Sequence, residues 1–570
     1  MSQSENKVYI ARYRLTLAVI SIAFLTLVWR AFDLQIMEKD FLQSEGNDRF
    51  LRHIELPATR GALLDRNGDP LAVSTPVASV YVDPRFVVKN HVGWDGLAQV
   101  LGVDKREIFE KISNRKSKAF VYLKRHVPPE VERKVLALSV PGVATQNEYQ
   151  RFYPAGDVSA HLIGITNVDD KGLEGLELAF EDELGAKRGT QKVIKDRLGN
   201  IVDEIGLLAA PEHGKEVRLT LDKRLQFLAY SELERAVVEN KATSGSFVLL
   251  DSDSGEVLAL VNLPSFNPNN RSRLSSEAMR NRAVVDVFEP GSTMKPFAVA
   301  AALREEMISP SSVIDTSPGM LVVGRNTIRD SHNYGKLTVS QVLMKSSNVG
   351  VSKIALALPK ERLWEMFSDA GLGERTHSNF PGEMTGVLPF FGEWNEVEQA
   401  SLSYGYGVSV TAMQLARAYS VIANGGTLKP ITFRLGEQRP DLERRVLEKE
   451  VASYLRDMLR TVVSEKGTAS RAAVSGYAVA GKTGTVKKLD KEGYTEDQYV
   501  ATFVGMAPAT KPKFVAVVVI NQPRGEQYYG GLVAAPVFSK VMASALRLYN
   551  VPPDDIPGRP IRMASMEFNE

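Results

Sequence analysis

Apolar positions along this chain are spaced in three ways, and each spacing predicts its own kind of element. The first is an unbroken run: residues 15–29 carry no charge and are closed at either end by Arg14 and Arg30. At about 1.5 Å per residue, such a run falls short of a roughly 30 Å hydrocarbon layer. Spanning a membrane therefore requires Tyr13, Ala31 and Phe32 to join the helix while the two arginines snorkel outward. No small-x-small cleavage pattern follows Val28, so the segment reads as an uncleaved anchor rather than a removed signal. Lys7, Arg12 and Arg14 outweigh Glu5 before it, which keeps the N-terminus inside and sends the rest outward.

The second spacing is helical. Leu225, Leu228, Leu233 and Val237 predict an amphipathic helix over residues 223–239, and residues 411–424 form a helix body stopped by Gly425-Gly426. Residues 534–549 predict a closing helix, and residues 297–303, apolar throughout, predict a buried one. The third spacing is that of short strands: 216–221, then a hairpin of 246–250 and 256–262 turning at Asp253-Ser254-Gly255, then 477–480, 499–505 and 514–520. Residues 265–282 read as a polar loop and the charged stretch 487–498 as a mobile linker. The Pro- and charge-rich residues 551–570 read as a disordered tail.

These elements group into domains. With 570 residues the chain exceeds what one core usually covers. From about Asp33 to Leu207 short segments follow one another without a long periodic core, including a strand at residues 60–66 and an Asn67-Gly68 hairpin turn. A Pro- and Gly-containing stretch near residues 208–215 marks a boundary. The resulting division is a cytoplasmic tail 1–14, a membrane anchor 15–36, a non-catalytic module 37–215, a catalytic domain 216–550 and a flexible tail 551–570. Net charge is +2 from 70 basic and 68 acidic residues, which gives no argument for nucleic-acid binding. With no cysteine, disulfides and thiol catalysis are excluded, and the seven histidines show no metal-ligand spacing. His161 reads as a packed structural residue.

Candidate chemistry lies in three short clusters. Pro290-Gly291 breaks the chain ahead of the buried helix, and Ser292 and Lys295 are three residues apart at its mouth, on one face. A serine hydroxyl needs a base within reach to act as a nucleophile, and a lysine can serve once its amine is neutral. Pro296 is tolerated only if the helix starts at about Ser292. Ser-x-x-Lys alone means little, because Ser4–Lys7 and Ser113–Lys116 also fit it. Two downstream clusters raise its weight: Ser346-Ser347-Asn348 at the end of a helix over 339–345, and Lys482-Thr483-Gly484-Thr485, the only Lys-Thr-Gly in the chain. Ser-x-Asn recurs at Ser265 and Ser331. No Gly-x-Ser-x-Gly elbow is present, and Tyr404-Gly405-Tyr406-Gly407 lacks the phosphate-loop pattern and reads as tight packing.

In order and spacing the three clusters resemble the serine penicillin-recognising enzymes over roughly residues 216–548. Residues 287–296 and 346–353 look closest to the division-specific class B penicillin-binding proteins of the FtsI type, also called penicillin-binding protein 3. The resemblance implies an α+β fold: a transpeptidase domain of penicillin-binding/serine β-lactamase type, its antiparallel sheet flanked by helices. Before it would come a mixed α/β pedestal, or dimerisation domain, and one transmembrane helix. Residues 151–155, 161–164 and 172–177 resemble pedestal elements, and their arginines and glutamates read as salt bridges that set shape.

The implied reaction is acyl transfer from the D-Ala-D-Ala end of a peptidoglycan stem peptide through a serine ester, with β-lactams as covalent inhibitors. Ser292 would be the nucleophile and Lys295 its base, lowered in pKa by burial and by Lys482. Ser346 would relay a proton to the leaving nitrogen, and Asn348 would hold Lys295 or the substrate amide. Lys482, Thr483, Gly484 and Thr485 would line the substrate strand, with Lys482 and Thr485 taking the terminal carboxylate. The backbone N–H groups of Ser292 and Thr485 would form the oxyanion hole. No metal or cofactor is required. Implied partners are an FtsW-type glycosyltransferase and other division proteins, and the implied location is the inner membrane with the catalytic domain periplasmic. An elongation-type transpeptidase, a membrane-bound β-lactam sensor and a serine β-lactamase are the competing readings.

Overall fold

The computed structural model describes residues 3–42, 51–87, 91–116, 118, 120–195, 201–272, 274–490 and 493–555. Helix α1 (Gln3–Phe32) runs through both arginine flanks of the apolar run. The stretch Lys7–Met37 is long and apolar enough to cross a membrane and none of it is buried, which fits a single-pass anchor.

The chain divides into two compact units: Met1–Thr59, Pro76–Tyr149 and Ala186–Gly214 in the first, and Arg60–Thr75, Gln150–Gly185 and Lys215–Glu570 in the second. The chain thus leaves and re-enters each unit more than once. In the first unit β1 (Leu51–Leu56) and the later half of β2 (Pro70–Val82) precede helices α2 (Gly93–Leu101) and α3 (Lys105–Ser113). Strand β3 (Val121–Val127), helix α4 (Pro129–Ala137) and strand β4 (Val143–Phe152) follow, then β5 (Gly189–Lys195) and β6 (Ile201–Ala209). Trp94, Leu97, Ile108, Val121 and Leu123 share a core, and β1, β5 and β6 form a separate antiparallel sheet. Inside the unit, Glu148 accepts the Ser79 hydroxyl at 2.5 Å and the Tyr122 hydroxyl at 2.8 Å, and pairs with Arg125. Burial opposes its charge, yet these bonds together with His126 outweigh burial and hold the carboxyl well below the usual carboxylate range.

The second unit is built on an antiparallel sheet of order β8-β7-β11-β10-β9. Its strands are β7 (Ser244–Asp251), β8 (Val257–Leu263), β9 (Ala480–Asp490), β10 (Gly493–Ala507) and β11 (Phe514–Asn521). Helix α5 (Lys223–Glu239) precedes the sheet, and α6 (Lys295–Arg304), α7 (Val339–Lys345), α8 (Asn348–Ala357) and α9 (Ala412–Ala423) lie between β8 and β9. Helix α10 (Ala535–Leu548) closes the unit. Central strands β7 and β11 are buried nearly end to end because helices cover the sheet, which explains their unbroken apolar runs. Edge strand β9 carries Lys482-Thr483-Gly484-Thr485. Glu177, fully buried, joins Arg60 at 2.7 Å and Arg151 at 2.6 Å. His161 is buried edge-on to Phe266 and bonded to the Ala278 carbonyl, and burial lowers its pKa to about 4, so it is a neutral packing residue at neutral pH.

Three expectations about connecting segments change. Residues 265–282 contain a short helix at Ser276–Met279, and a second begins at Arg282. Residues 487–490 and 493–498 are no linker: β9 runs to Asp490 and β10 starts at Gly493, with Leu489 paired to Tyr494. Their charged composition is that of a linker, yet the two strand ends pair and extend the edge of the sheet. The start of the expected tail is fastened, because the Tyr477 hydroxyl donates to the Val551 carbonyl at 2.7 Å and Asp554 accepts the Ala478 N–H at 2.8 Å. The rest of that tail lies outside the described residues.

Candidate active site

Ser292 sits in a turn that close contacts from neighbouring elements define. Gly291 has φ +55°, and residues Gly291–Met294 form a 3-10 turn before α6 begins at Lys295. The α-helix was expected from about Ser292. It starts three residues later because the Thr293 hydroxyl donates to the Pro290 carbonyl at 2.8 Å and tightens the first turn. Pro296 falls in the first turn of α6, where its missing N–H leaves no bond unmade. From below, the buried Tyr419 donates its hydroxyl to the Thr293 carbonyl at 2.7 Å and sets its ring edge-on to Phe297. From the side, Gly291 donates its N–H to the Gly405 carbonyl at 3.1 Å. A Cβ at Gly405 would stand 2.1 Å from the Gly291 carbonyl oxygen, so the Tyr404–Gly407 stretch is close packing against the nucleophile turn.

Behind the turn two lysines converge. Lys295 and Lys482 are both fully buried. Lys295 Nζ bonds the Ser346 carbonyl, Ser346 Oγ at 3.1 Å and Asn348 Oδ1 at 2.7 Å. Lys482 Nζ reaches the same Ser346 Oγ at 2.9 Å. Burial lowers the pKa of Lys295 far below the ordinary lysine value, the charge of Lys482 lowers it further, and Asp330 acts in the opposite sense. Burial alone brings Lys482 down to about 7. One hydroxyl between two buried amines favours a single positive charge on the pair, since a neutral amine can accept the hydroxyl proton while the ammonium donates to its oxygen. Among the described residues no hydrogen bond joins Lys295 to Ser292, whose hydroxyl is half-buried and free for a ligand.

The Ser-x-Asn corner links two helices. Ser346 caps the C-terminus of α7 with φ +57°, and Ser347 caps the N-terminus of α8 by accepting the Gly350 N–H at 2.8 Å. Asp330 accepts the Ser347 hydroxyl at 2.5 Å, the Asn348 N–H at 2.6 Å and the Val349 N–H at 3.0 Å.

Strand β9 closes the other wall. A Cβ at Gly484 would lie 2.8 Å from the Pro290 carbonyl oxygen, so glycine lets the strand meet the nucleophile turn. The backbone N–H groups of Ser292 and Thr485 belong to these two walls. Thr483 Oγ1 lies 3.2 Å from Thr468 Oγ1, and Thr485 Oγ1 accepts the Gly530 N–H at 3.0 Å, which leaves the Thr485 proton available to a ligand. Glu289, beside the turn, accepts the Gly407 N–H at 2.8 Å and the Tyr494 hydroxyl at 3.0 Å, and burial raises its carboxyl pKa. Asp330, Tyr419, Thr468 and Tyr494 were not expected from sequence. None belongs to a motif, and only Asp330, an acid just before the Ser331-His332-Asn333 triplet, offered a signal at all.

Residues 245–543 match the family described as Penicillin binding protein transpeptidase domain, and residues 55–219 match the Penicillin-binding Protein dimerisation domain. The probable peptidoglycan D,D-transpeptidase PbpC of Pseudomonas aeruginosa is 40% identical over 549 residues, 96% of this chain and 97% of that protein. The peptidoglycan D,D-transpeptidase FtsI of Escherichia coli K12 is 40% identical over 558 residues, 97% of this chain and 94% of its own. Among solved structures, the transpeptidase domain of Burkholderia pseudomallei penicillin-binding protein 3 is 40% identical with a TM-score of 0.55, covering 59% of this chain and 98% of that one. A peptidoglycan synthetase from Bifidobacterium adolescentis is 26% identical with a TM-score of 0.70, covering 89% and 98%.

Proposed function

The chain belongs to the class B penicillin-binding proteins, and from that premise we propose that it is a serine D,D-transpeptidase that cross-links peptidoglycan stem peptides and is acylated by β-lactams. The observation that carries this reading is the meeting of all three clusters at one hydroxyl: Lys295 and Lys482 both bond Ser346 Oγ, beside the turn that bears Ser292.

In the proposed cycle Ser292 Oγ attacks the carbonyl of the penultimate D-alanine while its proton passes to neutral Lys295. The tetrahedral oxyanion is held by the N–H groups of Ser292 and Thr485, where loss of one donor typically costs about 10²–10³ in rate. The C–N bond then breaks, and the departing nitrogen takes a proton through the Ser346 hydroxyl. Asn348 holds Lys295 in line through its side-chain oxygen. Lys482 and the Thr485 hydroxyl receive the terminal carboxylate, and Thr483 and Gly484 line β9 where the peptide approaches as an added strand. An acceptor amine attacks the ester, forms the cross-link and returns Ser292. Residues 15–36 anchor the protein in the inner membrane with its N-terminus cytoplasmic, 37–215 serve as pedestal, 216–550 catalyse and 551–570 form the tail. The enzyme works at the septum beside an FtsW-type glycosyltransferase and other division proteins.

Fluorescent penicillin added to the full-length protein in detergent should attach to Ser292 and give a mass increase of one inhibitor. A Ser292→Ala protein that still labels would remove the nucleophile from this scheme.

A further inference from the structure

The lysine pair has a counter-charge that no motif names. Asp330 follows the strand Asn326–Arg329 and faces the N-terminus of α8. One carboxylate oxygen takes the Asn348 and Val349 N–H groups, and the other takes the Ser347 hydroxyl. Asn348 is anchored a second time where its side-chain Nδ2 donates to the Arg329 carbonyl at 3.2 Å. The same asparagine presents Oδ1 to Lys295 at 2.7 Å. Segment 329–330 therefore decides where Asn348, and through it the Lys295 amine, can lie.

Resting on the proposed acyl transfer, we propose that Asp330 is a positioning residue that holds the Ser346–Asn348 corner against Lys295 and sets a negative charge against Lys482 at the Lys295 amine. Two buried amines of like charge disfavour each other, and burial disfavours both. With no acid in range Lys295 would hold its proton still less readily. The charged groups acting on Lys295 are Lys482 on β9, which lowers its pKa, and Asp330, which raises it. Lys345, at the end of α7, instead turns its ammonium to the Lys466 carbonyl at 3.1 Å. Asp330 thus raises the pH at which the base becomes free, against burial and Lys482.

The test is the second-order rate of acylation by fluorescent penicillin from pH 5.5 to 9.5, on full-length protein in detergent, with thermal melting of each variant. Asp330→Asn keeps size and the one oxygen that can take the Asn348 and Val349 N–H groups, removes the charge, and leaves an amide nitrogen that cannot accept the Ser347 hydroxyl. Its acid limb should move to lower pH by about 1 unit, because Lys295 then loses its proton more readily. Asp330→Ala removes charge and anchors together, so the same shift should come with a plateau lowered about 10²-fold, the usual consequence of roughly 1 Å misplacement. Asp330→Glu keeps the charge on a longer arm, so its acid limb should stay at the wild-type pH while the plateau falls. A merely structural role would lower melting temperatures and leave every limb in place. Either an Asp330→Asn limb coincident with wild type, or an Asp330→Ala plateau within twofold of it, overturns the inference. Absence of acylation at Ser292 in the wild type would instead overturn the proposed function, so the two failures are distinct.

Discussion

Gly405 touches no catalytic group, yet its replacement by alanine should disable acylation. Its φ of +86° lies where an L side chain is strained by about 1–2 kcal/mol. The new Cβ would stand 2.1 Å from the Gly291 carbonyl oxygen, where ordinary contact begins at 3.4 Å, a shortfall of 3.4 − 2.1 = 1.3 Å. The three nearest atoms are all Gly291 backbone, so no side chain can swing away, and overpacking of this kind costs about 1–3 kcal/mol more. Relief comes only by moving Gly291, and Ser292 moves with it. A displacement near 1 Å at a reacting atom costs on the order of 10² in rate. Gly425→Ala is the matched control: its φ is +82°, but its nearest neighbour is the Lys449 Cγ at 3.9 Å. It should share the backbone strain, lose stability by about 1–2 kcal/mol and acylate at the wild-type rate. The assay is the second-order rate of penicillin acylation alongside urea unfolding. If Gly405→Ala acylates within threefold of wild type, or if Gly425→Ala slows as much, the steric reasoning is wrong.

Two further outcomes are expected. Burial holds the Lys482 pKa near 7 in the folded protein against 10.5 when exposed, so between those values the unfolded chain binds the extra proton and stability rises with pH. Lys482→Met should remove that share and flatten the rise between urea melts at pH 7.5 and pH 9.5; an unchanged slope would show that the amine is not the titrating group. Glu177→Gln should destabilise the second unit by about 3–5 kcal/mol, since buried Arg151 would lose its carboxylate partner and Arg60 would keep only Glu181. A urea midpoint equal to that of wild type would show the network to be dispensable.

The parts that were legible in the sequence are those with a local signature. Residues 223–239 fold as the helix their apolar spacing demands, and the glycines at 425 and 426 stop the helix before them. The convergence of Lys295, Ser346 and Lys482 followed from their order and company rather than from any one triplet. What stayed hidden depends on partners far away in the chain. Asp330 acquires meaning only once a hairpin brings it to the start of α8, and Tyr419 only once α9 passes beneath Thr293. The charged residues 487–490 and 493–498 misled because paired strand ends can carry the composition of a linker.

Ser346 occupies a left-handed backbone position that glycine would fill with less strain. The corner keeps a serine, and with it the hydroxyl that both lysines reach. Thermal robustness and turnover therefore pull in opposite directions at this one residue. A laboratory selection that rewarded heat resistance alone would tend to trade the enzyme's proton conduit for a quieter bend.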